Sequence, residues 1–266
     1  MVKKQKLKEK KLYIVIDKVS NAIFNGISGK VAIDKRKSVI INLDVAGGVV
    51  DCFDKTVYNA IVSLYKEGKT TCSYQQIDNA IQGKRHDFHG NNTAKSKRVN
   101  DIKTAVKKAV SVSFVLSLNK SDFRKNLQQK LKEQYAGKLV EGQLDIDTVK
   151  ISALPLFEFS DTIKGVTCVN SGVYAVKNLP ASILSDCIKT RLIERISGKW
   201  SNNLITLDDL IKHIPGREKD KFKLDRVLRI QVTKSAEKIL QHFADVGYIH
   251  DFEKTRKNRK ICFVYS

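Results

Sequence analysis

Apolar residues recur at helical spacing in a series of stretches that glycine and proline separate. Val57, Ala60, Ile61, Leu64 and Tyr65 form a stripe that Asp54 can cap and Gly68 can end. Ser73 opens a second helix with Ile77, Ala80 and Ile81 inward, and Gly83 lies just beyond it. Thr93 opens a third, with Val99, Ile102, Val106, Ala109 and Val110 on one side. The run 112–118 then reads as a strand. Three helices followed by a strand is winged-helix order, with the third helix in the recognition position.

The same order returns. Leu179-Pro180 marks a boundary and Ser182 a helix start, followed by an amphipathic stretch 186–197 with Ile188, Leu192, Ile193 and Ile196. Thr206-Leu207-Asp208-Asp209 opens a short helix that Pro215-Gly216 breaks. A long helix over 218–246 buries Leu224, Leu228, Val232, Ala236, Ile239, Leu240 and Phe243. Gly247 suits a left-handed helix stop, and strands at 249–252 and 261–265 flank a loop with five cations and one anion. No residue-level repeat accompanies this duplication. The expected fold class is α+β, with two tandem winged-helix units. Residues 1–12 form a basic arm, 13–180 the first unit and 181–266 the second.

The first unit carries additions. Short β-like runs at 13–16 and 38–43 surround glycine turns at Gly26 and Gly29. Residues 122–135 read as a basic amphipathic helix, and 139–151, 156–159 and 172–176 as strands, so its wing is expected to be elaborated.

Charge narrows the partner. The chain has 266 residues, 49 Lys and Arg against 28 Asp and Glu, and a net charge of +21. Such an excess raises local phosphate concentration and association rate, which points to nucleic acid or an anionic membrane. No apolar run reaches the ~20 residues of a spanning helix, and no hydrophobic signal segment follows the N-terminus. A cytoplasmic protein without membrane contact is therefore expected.

Chemistry is expected to be absent. Cys52, Cys72, Cys168, Cys187 and Cys262 are scattered and form no Cys-x-x-Cys pair, so neither disulfides nor a zinc ribbon are supported. His86 and His89 lack neighbouring ligands and fit a solvated loop. Gly68-Lys69-Thr70 looks like the end of a phosphate loop, but Ser63 stands where the leading glycine belongs. No His-x-His, Gly-x-Ser-x-Gly or His-Glu-x-x-His occurs. We expect no enzyme, no cofactor and no metal.

The cations cluster where a winged helix meets duplex. In the first unit Lys95, Lys97 and Arg98 are expected near bases, and Lys103 and Lys107 on the backbone. In the second, Lys221, Lys223 and Arg226 hold the equivalent stretch, with Arg229 and Lys234 as further candidates. The wing adds Lys254, Arg256, Lys257, Arg259 and Lys260. Arginine can pair guanine bidentately, whereas lysine mostly meets phosphate as a point charge. Single surface cations are ordinarily just solvated; the clustering carries the inference.

Leu192-Ile193-Glu194-Arg195-Ile196, then Ser201-Asn202-Asn203-Leu204-Ile205, then the long helix into Gly247-Tyr248-Ile249 resembles the C-terminal part of plasmid replication initiator proteins. The resemblance covers about the last third of the chain, and the first unit by its element order alone. It implies tandem winged helices that grip direct repeats at an origin on double-stranded DNA. It also implies recruitment of host replication proteins, a monomer–dimer equilibrium and no chemistry. The segment 120–176 departs from a simple wing and is a candidate dimer surface. The alternative is a transcriptional regulator or partition adaptor on an operator palindrome. An RNA-binding protein ranks last, because Trp200 is the only tryptophan and no aromatic-rich strand stands out.

Overall fold

The computed structural model describes residues 10–34, 39–84, 95–118, 134–198, 203–215, 226–257 and 260–266. The chain is α+β. After a short helix α1 (Lys18–Ile23), its middle is the helix α2 (Cys52–Lys66), in which every residue from Phe53 to Leu64 is buried. A helix buried on all sides must find partners for its polar side chains. Asn59 accepts the backbone N–H of Val15 at 3.2 Å, and Ser63 accepts that of Tyr13 at 2.8 Å. Both belong to β1 (Lys11–Val15), which pairs with β9 (Val166–Asn170). Lys11 and Leu12 thus lie in a strand rather than in the basic arm.

The start of α2 departs from expectation. Asp51, not Asp54, is the N-cap, and Asp54 closes a capping box by accepting the Asp51 N–H at 2.9 Å. The sequence offers two acids, and only the backbone geometry selects between them. Asp54 also accepts from Lys108 Nζ at 2.8 Å.

Two units show the order helix, strand, helix, helix, hairpin, with two further strands between the last helix and the hairpin of the first. In the first, α2 is followed by β4 (Thr71–Ser73), α3 (Tyr74–Ile81) and α4 (Lys95–Ser111), and the hairpin is β7 (Glu141–Leu144) with β8 (Thr148–Ala153). The sheet order is β4-β8-β7, which is the order expected of a winged helix. Its wing is therefore not the strand after the third helix. That strand, β5 (Ser113–Leu118), joins β2 (Gly29–Asp34), β3 (Val39–Ala46) and β6 (Gln134–Lys138) in a four-stranded antiparallel sheet of order β2-β3-β5-β6. Ile41, Leu43, Phe114 and Leu116 form its buried face.

Three more expectations fail nearby. Residues 156–159 lie in the helix α5 (Pro155–Thr162), which Pro155 opens at its first position. Residues 171–174 form the helical turn α6 (Ser171–Tyr174), not a strand. Tyr135 sits in β6 rather than at a helix end, and residues 122–133 lie outside the described residues. His86, His89 and Trp200 lie outside them too.

The second unit follows the same order: the helix α7 (Ile183–Ser197), β10 (Leu204–Thr206), α8 (Leu207–Ile211), α9 (Arg226–Asp245), β11 (Phe252–Lys257) and β12 (Lys260–Tyr265). Ser182 caps α7 as expected, and Thr206 caps α8 by accepting the Asp209 N–H at 3.0 Å. The sheet order is β10-β12-β11. Gly247 has φ +70 after α9, the left-handed stop that its position suggests.

A buried polar seam joins the units. Arg98 of α4 places Nε 2.7 Å from Asp78 of α3 and Nη2 2.7 Å from Asp186 of α7. Lys189 of α7 donates to the carbonyl of Ile81 at 2.8 Å and to that of Tyr174 at 3.2 Å. It thereby places a cation at the negative end of α3. Lys55 of α2 pairs with Glu194 of α7 at 2.6 Å, and the Thr56 and Thr190 hydroxyls meet at 2.8 Å. Burial lowers the pKa of Lys189, against the opposing pull of Asp186. For Arg98 burial also disfavours the charge, yet Asp186 and Asp78 outweigh it and its pKa is raised.

These pairs set measurable costs. Arg98→Ala removes the cation shared by Asp78 and Asp186, leaving buried Asp186 with only Lys189 at 3.6 Å and the Gln82 amide, and should cost about 3 kcal/mol in urea unfolding, whereas Lys97→Ala on the exposed face should cost almost nothing. Equal small costs would contradict the seam. Burial, with Asp51 beside it, raises the Asp54 pKa from 3.8 to about 6 despite Lys108. The folded state thus holds this proton more tightly, and the resulting stability is lost as pH rises from 3.8 to about 6. Asp54→Asn cannot titrate, so its stability relative to wild type should rise across that window by on the order of 2–3 kcal/mol. A pH-independent difference would contradict the assignment.

Candidate nucleic-acid interface

The cations expected on the two recognition helices have unlike fates. In α4, Lys97 and Lys107 are exposed and make no ion pair among the described residues. Lys95 lies in α4, but its side chain is outside the described residues. Arg98 is not available to bases, because both its pairing edges are spent on Asp78 and Asp186 inside the seam. Lys103 donates to the carbonyl of Ile146 at 2.8 Å, which ties the helix to the first wing.

That first wing is built for rigidity. The Tyr74 hydroxyl donates to the carbonyls of Asp145 and Thr148 at 3.1 and 3.3 Å, and the Tyr74 N–H donates to that of Asp147. Its tip is Asp145-Ile146-Asp147, all exposed. Two carboxylates at the tip repel phosphate, so this wing is unlike the basic one.

In the second unit, the core stripe of α9 is Leu228, Val232, Ala236, Ile239, Leu240 and Phe243. Arg226 and Lys234 project away from it and are exposed. Arg229 lies nearer the core and pairs with Asp208 of α8 at 3.0 Å. Lys221 and Lys223 lie outside the described residues, and α9 is described only from Arg226 rather than 218.

The wing cations sit on strands rather than in a loop. Lys254, Arg256 and Lys257 belong to β11 and Lys260 to β12, with Arg259 outside the described residues. Pairing with β12 draws this charged segment into a ladder that its composition does not announce. Lys254 pairs with Glu237 of α9, and this fixes the wing against the helix. Lys260 approaches Asp208 at 3.4 Å. Arg256 and Lys257 are exposed and unpaired among the described residues. Among the described residues expected to contact DNA on this unit, those free to receive an anion are thus Arg226, Lys234, Arg256 and Lys257. Sequence reasoning misses the exposed apolar pair on the same helix, Val227 and Ile230. Their spacing out of phase with the core stripe is the signal that could have found them.

Among the described residues no group of three His, Cys, Asp or Glu side chains could hold a metal, and no helix is long and apolar enough to cross a membrane. No protein-family model matches the chain, and no curated protein sequence does. Among solved structures, a selenomethionine crystal structure of domains 2 and 3 of RctB is similar at a TM-score of 0.41 and 10% identity, covering 98% of this chain and 91% of that one. A second crystal structure of RctB domains 2-3 gives 0.43 and 9%, covering 90% and 91%. Likeness at this level carries no argument about what the chain binds.

Proposed function

We propose that this protein binds double-stranded DNA in a sequence-specific manner and acts as a replication initiator on direct repeats at an origin, without catalysing a reaction. The observation that supports this most is the second unit's surface. Arg226 and Lys234 on α9, and Arg256 and Lys257 on a wing tied to that helix, form an exposed cationic set on an element order suited to a major groove. The net charge of +21 adds a salt-dependent attraction to any duplex.

The two units favour a repeat over a palindrome. A palindrome is read by two equal surfaces related by a twofold axis. Here one chain carries an acidic wing and a basic wing in a frame held by buried ion pairs, so a single copy presents an asymmetric surface. Tandem copies on direct repeats suit that asymmetry, and host replication proteins and a second copy of the chain are then natural partners. A membrane surface is not proposed as a partner, and the reading places the protein in the cytoplasm.

The division of labour is testable by equilibrium binding. Replacing Arg256 and Lys257 with alanine should weaken binding to cognate and random duplex alike, and reduce the salt slope by about one unit for each phosphate no longer neutralised. Arg226→Ala should cost about 1–3 kcal/mol on the cognate site and relax preference at one base position. If Arg226→Ala weakens both duplexes equally, α9 does not read bases. Purified protein that nicks supercoiled DNA with magnesium or manganese would overturn the absence of catalysis.

A further inference from the structure

Val227 is 64% exposed and Ile230 is 45% exposed, although both sit on a helix with a complete core stripe of its own. Isolated surface aliphatics are ordinary and need no explanation. These two are not isolated from chemistry. Val227, Ile230 and Lys234 follow each other at spacings of three and four, so they share the face of α9 that points away from Leu228, Val232 and Ala236. Arg226 adjoins them in sequence and is exposed. No described side chain of the fold covers the pair, and the described exposed charges beside it on this face are Arg226 and Lys234.

A polyanion that also offers small apolar groups matches such a face. In a duplex major groove the one apolar group is the C5-methyl of thymine. Valine and isoleucine are stiff at χ1, so a methyl can pack on them at little further entropic cost. We propose that α9 selects its site through thymine methyls packed on Val227 and Ile230, while Arg226 and Lys234 supply hydrogen bonds and charge beside them. This rests on the reading that α9 enters a major groove, and it specifies what the helix recognises there.

The experiment uses the full-length chain and its preferred duplex obtained by selection. Each thymine is replaced in turn by 2′-deoxyuridine, which deletes the methyl and keeps every hydrogen-bonding group. Wild type should lose about fourfold in affinity for each methyl that packs on α9. Val227→Ala or Ile230→Ala should lose sensitivity to uridine at one position each, with an unchanged unfolding midpoint because both side chains are exposed. Val227→Thr, which keeps one methyl, should retain part of it. Uridine duplexes bound as tightly as thymine ones would overturn the proposal, and so would variants that keep full uridine sensitivity. An apolar patch that instead serves a protein partner gives the first of these results. Failure of the underlying DNA reading looks different: wild type then shows no preference for any selected site, and both fall together.

Discussion

Everything in this fold turns on the requirement that a buried charge be paired. Arg98, Asp78, Asp186 and Lys189 meet where α3, α4 and α7 converge, and Lys55 of α2 meets Glu194 further along α7. Such pairs give little net stability relative to a well-packed apolar core, because desolvation offsets much of the attraction. What they give is direction. An apolar interface tolerates sliding, whereas a guanidinium forked between two carboxylates from different helices does not. The seam therefore sets how one unit is oriented on the other, and with it the distance between α4 and α9.

This orientation makes the two units unequal in consequence as well as in sequence. The first spends Arg98, Lys103 and Lys108 of the recognition helix on internal structure, and its wing ends in two carboxylates. The second, among its described residues, keeps Arg226, Lys234, Arg256 and Lys257 free and anchors its wing through Lys254 and Glu237. In the proposed complex, phosphate neutralisation and base reading thus fall mainly to the second unit. The first contributes Lys97 and Lys107 and holds the frame.

The amphipathic helices are legible in the sequence because their apolar residues recur at helical spacing and their ends carry Ser73, Ser182, Thr206 and Gly247, each of which acts where local chemistry places it. Partnership is not legible. The segment 113–118 is recognisable as a strand, yet nothing local says that it pairs with 39–46 rather than forming a wing. The run 155–162 is short and mixes apolar with polar residues, and its partner on β6, the Tyr135 hydroxyl that donates to the Pro155 carbonyl, lies twenty residues away in sequence. Arg98 resembles its neighbours Lys95 and Lys97 in sequence because the carboxylate that buries it, Asp186, lies in the other unit. Charge counting along a helix cannot separate a cation that faces solvent from one that closes an interface.

In the proposed function the two unlike units, held by the seam, read one asymmetric duplex site, and selection of the full-length protein against a random-sequence duplex library is the decisive measurement. The enriched motif should lack twofold symmetry and be bound by one copy of the chain, with its most restricted positions under α9. A palindromic motif bound by two copies, or no enrichment at any salt concentration, would contradict this arrangement.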